Sequence, residues 1–247
     1  MIQYKQVKIL TCDIGENMEL KNLKTKAFTL AEVLVTLGII GVVAALTLPI
    51  LMTNYQKRNT EAHLKHFYSL MRQGIEMTAN DPEADCEIKQ DYIKTPDGYH
   101  TWWDKCLGRE LKTSDKKKYS SSGIEHLVVL ADGSAFVGYV AGTDTVYFMY
   151  CTSPDKCGAE RYDGRTSFLF TLVYTANSGM QFYTGQGAYT GVSREQLLTD
   201  CRSGLKNEED AGINMTSRRH ACAALIQRDG WRIAPDYPWQ YTAREKK

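Results

Sequence analysis

Cysteines are the residues of this sequence best placed to do chemistry, because they can form disulfides or bind metal ions. The chain has seven, and six of them follow residue 50: Cys86, Cys106, Cys151, Cys157, Cys201 and Cys222. So many thiols are typical of a domain in an oxidising compartment, where six can close three bridges. The simplest pairing joins neighbours along the chain: Cys86 with Cys106, Cys151 with Cys157, and Cys201 with Cys222. Unpaired buried thiols are the alternative.

The common enzyme motifs are absent from the sequence, which contains no G-x-S-x-G, Walker loop, H-E-x-x-H or C-x-x-C. His220 and Cys222 come closest to a Cys/His site, but a disulfide cysteine beside a surface histidine explains them more simply. Asp155, Glu160 and Asp163 lack the alternating register of a calcium-binding loop, so calcium is only a minor alternative. We therefore expect a protein that is not an enzyme and that holds no metal or other cofactor.

One carboxylate has an unusual position, because Glu32 is the only charged residue in the apolar segment 28–48. At roughly 1.5 Å per residue, a helix of this length covers the ~30 Å hydrocarbon core of a membrane. A charge at the centre of such a helix costs on the order of 2.5 to 3.5 kcal/mol, and less near an end. The sequence therefore predicts a membrane span in which Glu32 has a partner.

Charge gives no indication of a nucleic-acid partner, since 30 Lys and Arg nearly balance 29 Asp and Glu. The lysine run at 116–118, with Trp102 and Trp103 upstream, could contact an anionic polymer or single-stranded DNA. A solvated loop is the simpler interpretation of that run. Nucleic acid is accordingly an unexpected partner.

Three explanations compete for the apolar segment: a cleaved secretory signal, a plain membrane anchor, and a segment that both anchors and assembles. A signal peptide would have a shorter apolar run and no use for Glu32. A cut between Ala27 and Phe28 would free an α-amine at the depth of Glu32 of a neighbouring subunit. At a few ångströms and an effective dielectric of about 20, their attraction is on the order of 4 kcal/mol before desolvation. Such a contact is head-to-tail and can propagate into a helical filament.

These residues resemble the amino-terminal segment of the type IV pilin and type II secretion pseudopilin family. That family has a basic leader, a small residue before the cut, Phe as the first mature residue, Glu as the fifth and Pro as the twenty-second. Here the lysine-rich leader ends at Ala27, Phe28 follows, Glu32 is fifth from it and Pro49 is twenty-second. The match covers about residues 21–55, with Ala27 where the family usually has Gly.

The resemblance implies that a prepilin peptidase trims and N-methylates the chain at Phe28. A platform protein and an assembly ATPase would then draw it from the inner membrane, where it contacts lipid, into a filament with other subunits. The leader would face the cytoplasm, and the head would lie in the periplasm or at the cell surface. A large head with three possible bridges favours a minor pilin or pseudopilin. The alternatives are a membrane-anchored adhesin or DNA-binding minor pilin, and a secreted enzyme cut near Ala45.

The elements that would position these residues divide the chain into four segments. Residues 1–27 are the leader, with a possible true start at Met18, and 28–49 the membrane and assembly helix. Residues 50–81 are the amphipathic half of that helix, and 82–247 the head. Pro49 is expected to kink or loosen a helix that covers 28–80. Its second half has an apolar stripe at helical spacing: Leu64, Phe67, Tyr68, Met71 and Ile75.

The head is predicted to be an antiparallel sheet packed on the outer half of the long helix, which makes the fold α+β and pilin-like. A hairpin is expected from strands 124–131 and 134–140, with Asp132-Gly133 as the turn. Further strands are expected at 145–150, 166–174 and 180–183, and short helices at 193–204 and 218–228. The first of these helices opens on Ser193 to Gln196, which has the capping-box form. Three aromatic residues of the tail are expected to cover the sheet: Trp231, Tyr237 and Trp239.

Overall fold

The computed structural model describes residues 4–8, 22–26, 29–79, 94–111, 113–121, 124–140, 145–159, 162–175, 177, 179–185, 189, 191–206 and 220–239. The chain divides into two compact units, Met1–Tyr55 and Gln56–Lys247. Helix α1, Leu30–Ala79, begins in the first unit and ends in the second. The first unit also contains two short antiparallel strands, β1 (Tyr4–Lys8) and β2 (Asn22–Lys26).

Helix α1 continues through Pro49, which the sequence predicts to kink or loosen it. Proline removes one amide donor from a helix, so a single proline costs one intrahelical hydrogen bond. The neighbouring Thr53 hydroxyl donates to the Pro49 carbonyl at 3.0 Å. The predicted range 28–80 is close to the observed one, and Phe28 and Asn80 lie outside the described residues.

The second half of α1 is amphipathic, as predicted. Leu64, Phe67, Met71 and Ile75 are buried, and the residues between them, apart from the buried Gly74, face solvent or lie at the edge of the core. The spacing of three and four residues places these side chains on one face of the helix. This face packs into the main core of the head, which confirms the α+β class.

Six strands form an antiparallel sheet whose spatial order follows the chain. They are β3 (Thr113–Ser121), β4 (Ile124–Leu130), β5 (Ala135–Val140), β6 (Thr145–Cys151), β7 (Ser167–Thr175) and β8 (Gly179–Thr184). Strands β4 to β8 match the predicted strands within one or two residues. Strand β3 contains the lysine run at 116–118, so the predicted loop there is wrong. Adjacent β4 provides its backbone partners, in a register that shifts at two points.

The hairpin between β4 and β5 has a three-residue loop. The Gly133 amide donates to the Leu130 carbonyl at 3.1 Å, and the Leu130 amide donates to the Ser134 carbonyl at 2.8 Å. Gly133 has a φ of 83°, a conformation that glycine adopts without steric cost. Asp132 Oδ1 accepts the Ser134 amide at 2.9 Å. The predicted Asp-Gly turn therefore forms, but its loop has three residues and not the two of a tight hairpin turn.

The central strands of the sheet, β4 to β7, have buried side chains on both faces. On one face, Phe67 of α1 packs against Phe136, Tyr150 and Phe170, with ring centroids 4.7 to 5.3 Å apart. On the other face, a second core forms around alternate residues of the same strands, including Val137. A short 3₁₀ helix, Pro154–Ala159, follows β6 and carries the second core's Cys157.

A helical segment that was not predicted from the sequence precedes the sheet. It consists of α2 (Pro96–Trp102), a π-helical turn (Trp103–Leu107) and α3 (Gly108–Glu110). Trp102 and Trp103 are buried at 0% and 1% exposure, so neither can act as a surface platform for an anionic polymer. Tyr99 packs so closely on β5 that a Cβ at Gly138 would overlap its hydroxyl oxygen.

Two helices complete the head. Helix α4 (Arg194–Lys206) begins as predicted at Ser193, whose hydroxyl accepts the Gln196 amide at 3.2 Å. The Gln196 side chain donates to Asp200 instead of closing a capping box. Helix α5 (Ala221–Arg228) is followed by Asp229 and then by Gly230, the predicted stop, which has a φ of 72°. The predicted residues before Ala221, except His220, lie outside the described part of the chain.

Candidate functional site

The first turn of α1 places Glu32 beside Thr29. Glu32 Oε2 accepts both the amide and the hydroxyl of Thr29 at 2.8 Å, and the Thr29 hydroxyl accepts the Glu32 amide at 3.2 Å. This is a reciprocal capping box, which satisfies donors that the start of a helix leaves open. The predicted partner of Glu32 is in a neighbouring subunit, whereas the structure shows a first partner, Thr29, in the same chain. Ala27 and Phe28 lie outside the described residues.

The first half of α1 exposes apolar side chains along its length. Leu30, Leu46 and Ile50 are 81%, 69% and 66% exposed. By length and composition this is the one described helix that could cross a membrane. A Cβ added at Gly38 or Gly41 would meet nothing within 4 Å. The packing of this chain's described residues therefore gives no reason for glycine at either position.

Two of the three predicted disulfides are present among the described residues. Cys151 and Cys157 are joined across the 3₁₀ helix, and Cys201 and Cys222 join α4 to α5. Cys106 is also disulfide-bonded. Its predicted partner, Cys86, lies outside the described residues.

His220 lies in the interior of the head, so its predicted surface position is wrong. The residue is 0% exposed, and its ring lies 4.8 Å from Tyr162 and 6.4 Å from Tyr147. Within the described part of the chain, neither ring nitrogen has a hydrogen-bond partner. Burial lowers the pKa of His220 from 6.5 to about 4, which keeps the imidazole neutral at pH 7.

Two of the three carboxylates considered for calcium, Asp155 and Asp163, have partners within the chain. Asp163 Oδ1 accepts the amides of Arg165, Thr166 and Ser167 at 2.6 to 2.9 Å, which fixes the turn before β7. Asp155 forms an ion pair with Lys156 at 3.1 Å. Glu160 lies outside the described residues. Among the residues that the structure describes, no group of three His, Cys, Asp or Glu is placed to hold a metal ion.

The aromatic tail contacts the second unit's part of α1 and the turn before β7. The sequence predicts instead that the tail covers the sheet. The Trp231 ring lies 5.1 Å from Tyr68 of α1. The Tyr237 hydroxyl donates to the Gly164 carbonyl at 2.5 Å. Trp239 lies 5.9 Å from the Lys57 ammonium. The tail thus helps to hold α1 in the head.

The capped, exposed apolar helix and the α+β head define a pilin-like protein. Residues 22–48 match the prokaryotic N-terminal methylation motif, so the chain carries a type IV pilin-like prepilin segment. Residues 50–241 match the model of a family of unknown function, DUF6613, and the chain belongs to that family. No curated protein and no solved structure matches the chain.

Proposed function

We propose that this protein is a structural subunit of a type IV pilus-like or type II secretion filament. The observation that carries the proposal is the methylation motif at 22–48, which leads directly into a helix with exposed apolar side chains. A solvated helix does not expose a continuous apolar surface of this kind, so lipid or other helices must cover it. In a filament subunit the same surface contacts lipid first and neighbouring subunits later.

Assembly in this proposal depends on a charge pair between subunits. A prepilin peptidase cuts between Ala27 and Phe28 and methylates the new terminus, which remains a cation. The capping box holds Glu32 at the start of its own helix, where the helix dipole favours an anion. Glu32 of one subunit then pairs with the terminal amine of Phe28 in the next. The capping box and the charge pair use the same carboxylate for different purposes.

Close helix packing follows from the small residues of the apolar segment. Gly38 and Gly41 are three residues apart and have open space around the missing Cβ. Small residues let membrane helices approach closely. Pro49 lies at the end of the segment, where it removes a donor and lets the helix adjust during assembly. These positions, with Phe28 and Glu32, form the proposed assembly segment.

The remaining parts of the proposal concern location and partners. Residues 1–27 form a cytoplasmic leader, 28–49 span the inner membrane, and the head lies outside the cytoplasm. Disulfides in the head agree with an oxidising space. An inner-membrane platform protein and an assembly ATPase would move the subunit into the filament. The large head with its bridges suits a minor subunit better than a bulk one.

Electron microscopy of filaments tests this function. Cells that express the full chain are sheared, and the released filaments are labelled with an antibody against the head. Gold particles on filaments or at their ends are expected. Labelling confined to the cell membrane, with no signal on filaments made by the same cells, would contradict the proposal. A chain without residues 28–49 serves as the matched control and should give no filament label.

A further inference from the structure

The head contains a cavity of about 360 Å³ between β8, the segment before α4, and helices α4 and α5. This volume lies within the ~300 to 1,000 Å³ typical of small-molecule sites. Six side chains supply most of the chemistry of its lining: Tyr183, Thr184, Tyr189, Leu197, Gln227 and Arg228. None of these residues belongs to the proposed assembly segment, so the cavity requires an explanation of its own.

The walls of the cavity are connected to one another. The disulfide between Cys201 and Cys222 joins α4 to α5, with Cα atoms 4.8 Å apart. The Thr184 hydroxyl donates to Gln227 Oε1, which joins β8 to α5. Arg228 Nη2 donates to the Val192 carbonyl at 2.9 Å, which joins α5 to the segment before α4. A site held this way loses little conformational freedom when a ligand binds.

Ion pairs of Arg194 add a further connection between helices α4 and α5. Arg194 at the start of α4 contacts Asp229 at 2.5 Å and Asp236 at 2.9 Å. Asp229 directly follows α5, so this pair fixes the amino end of α4 to the carboxyl end of α5. The Arg194 guanidinium holds the pKa of Asp236 below its usual range. Both carboxylates are therefore engaged outside the cavity lining.

The lining combines flat apolar surfaces with planar polar groups. Tyr183 and Tyr189 are half-buried and line the cavity with phenol side chains, each of which combines an aromatic ring with a hydroxyl. Gln227 has two amide donors that remain once Thr184 donates to its oxygen. Leu197, at 1% exposure, contributes an apolar floor. A ligand that matches this lining has apolar faces and a rim of hydroxyl groups.

We propose that this cavity binds a neutral saccharide, as a single sugar or a disaccharide. The faces of a sugar ring carry C–H groups that pack on tyrosine rings, and its edge carries hydroxyls that pair with amide, guanidinium and phenol groups. Binding of this kind would let the head attach a filament or the cell envelope to a glycan. The inference does not depend on assembly of the chain into a filament.

Other ligand classes fit the lining less well. A metal ion would need carboxylate, imidazole or thiolate ligands, and none is found among the described residues that line the cavity. A multiply charged anion would need several cations, whereas Arg228 is the only one among the described residues that line the cavity. A purely apolar ligand would leave the two amide donors of Gln227 without partners when they lose water.

Saturation-transfer NMR on the full chain in non-ionic, sugar-free detergent tests the proposal. The probes are glucose, galactose, mannose, N-acetylglucosamine and their β1→4 disaccharides. At least one probe should receive saturation from the wild-type protein. The signal should fall at least about tenfold in both Tyr183→Ala and Gln227→Leu, since each removes part of the recognition surface.

A matched control and a second variant guard against misfolding. Gln196 is an exposed glutamine of α4 whose side chain donates to Asp200, so Gln196→Leu should leave the signal unchanged. Tyr189→Leu keeps an apolar side chain at the cavity and should also lower the signal. Circular dichroism confirms that each variant is folded. The proposal is overturned if no probe receives saturation, or if binding survives in all folded cavity variants. Binding of acetate or glucuronate alone would also overturn it, in favour of an anion site.

Discussion

Glu32 shows how a single residue can be recognised from sequence while its local environment is not. A carboxylate in an apolar segment is conspicuous, so a role in assembly can be proposed from the sequence alone. The contribution of Thr29 is also visible in the pattern T-x-x-E, which is the capping-box signature. The same signature at Ser193 and Gln196 predicts the start of α4, whereas its occurrence at Thr29 and Glu32 enters no prediction. The structure shows the reverse outcome, with the full box at Glu32 and half of it at Ser193.

The two roles of Glu32 can be separated by substitution. Glu32→Gln keeps a side chain that can accept from the Thr29 amide but removes the charge. Thr29→Val removes the hydroxyl of the cap but keeps the charge of Glu32. If pairing with the neighbouring amine drives assembly, Glu32→Gln should reduce filament incorporation at least about tenfold, and Thr29→Val should reduce it much less. Quantitative blotting of sheared filaments against total cell protein measures both.

Equal defects in the two variants would mean that helix capping, and not intersubunit charge, explains the need for Glu32. Each variant must first be shown to reach the membrane and to lose its leader. A defect in either step would place the effect before assembly.

The prediction of a surface position for His220 is wrong, since the residue is buried. It lies inside the predicted helix 218–228, where it is interpreted as a surface histidine beside a disulfide cysteine. In the structure its buried ring lies near the rings of Tyr147 and Tyr162. Sequence periodicity indicates which face of an element is apolar, but it gives no indication that a second layer covers that face.

Burial of His220 predicts a pH-dependent stability. The unfolded chain protonates this imidazole below pH 6.5, whereas the folded chain does so only near pH 4, because burial lowers the pKa to about 4. The unfolded state binds more protons in this window, so the free energy of unfolding falls as pH falls from 6.5 to 4. The expected loss is about 3 kcal/mol.

Denaturant unfolding of the full chain at pH 7 and pH 4 measures this loss. His220→Phe should flatten the pH dependence by about that amount and cost little at pH 7, since neither ring nitrogen of His220 has a hydrogen-bond partner within the described structure. The exposed His66 supplies the control, and His66→Gln should keep the wild-type pH dependence. A wild-type slope in His220→Phe would show that the imidazole is already protonated or exposed in the folded state.

At the scale of elements, the central strands were predictable because each has a strong local pattern. Strands β6 and β7 read TVYFMYC and SFLFTLVYT, which are nearly continuous apolar runs with turn residues at their ends. Such runs also indicate burial on both faces, which the structure shows. Strand β3 has the sequence TSDKKKYSS and lacks this pattern, so its identity depends on pairing with β4. The helical segment at Pro96–Glu110 is short and interrupted by a π-helical turn, which weakens its periodicity.

The two described disulfides should differ in their effect on stability. Cys201 and Cys222 are 21 residues apart, and Cys151 and Cys157 are 6 apart. In the loop-entropy model the longer loop contributes about 3 kcal/mol and the shorter about 2 kcal/mol. Replacing each pair with alanine and measuring denaturant unfolding should therefore show the larger loss for the α4–α5 pair. The opposite order would indicate that packing in the second core, and not loop closure, dominates.

At the scale of the whole molecule, the sequence indicates a function for the apolar amino-terminal segment but not for the head. The segment at 22–48 follows the strict spacing of the prokaryotic N-terminal methylation motif, which the family comparison matches. The head has no such spacing, and its family has no known function. Its cavity arises from β8, α4 and α5, which are brought together by long-range contacts. No local pattern in the sequence could have indicated it.

The mature amino terminus tests the central claim most directly. The protein is purified from the membranes of a cell that contains a prepilin peptidase, and its intact mass and terminal peptide are measured. A chain that begins with N-methylated Phe28 is the predicted result, and the same cells without the peptidase should yield the uncut chain. A terminus near Leu46, or a leader that remains attached in peptidase-positive cells, would contradict the account.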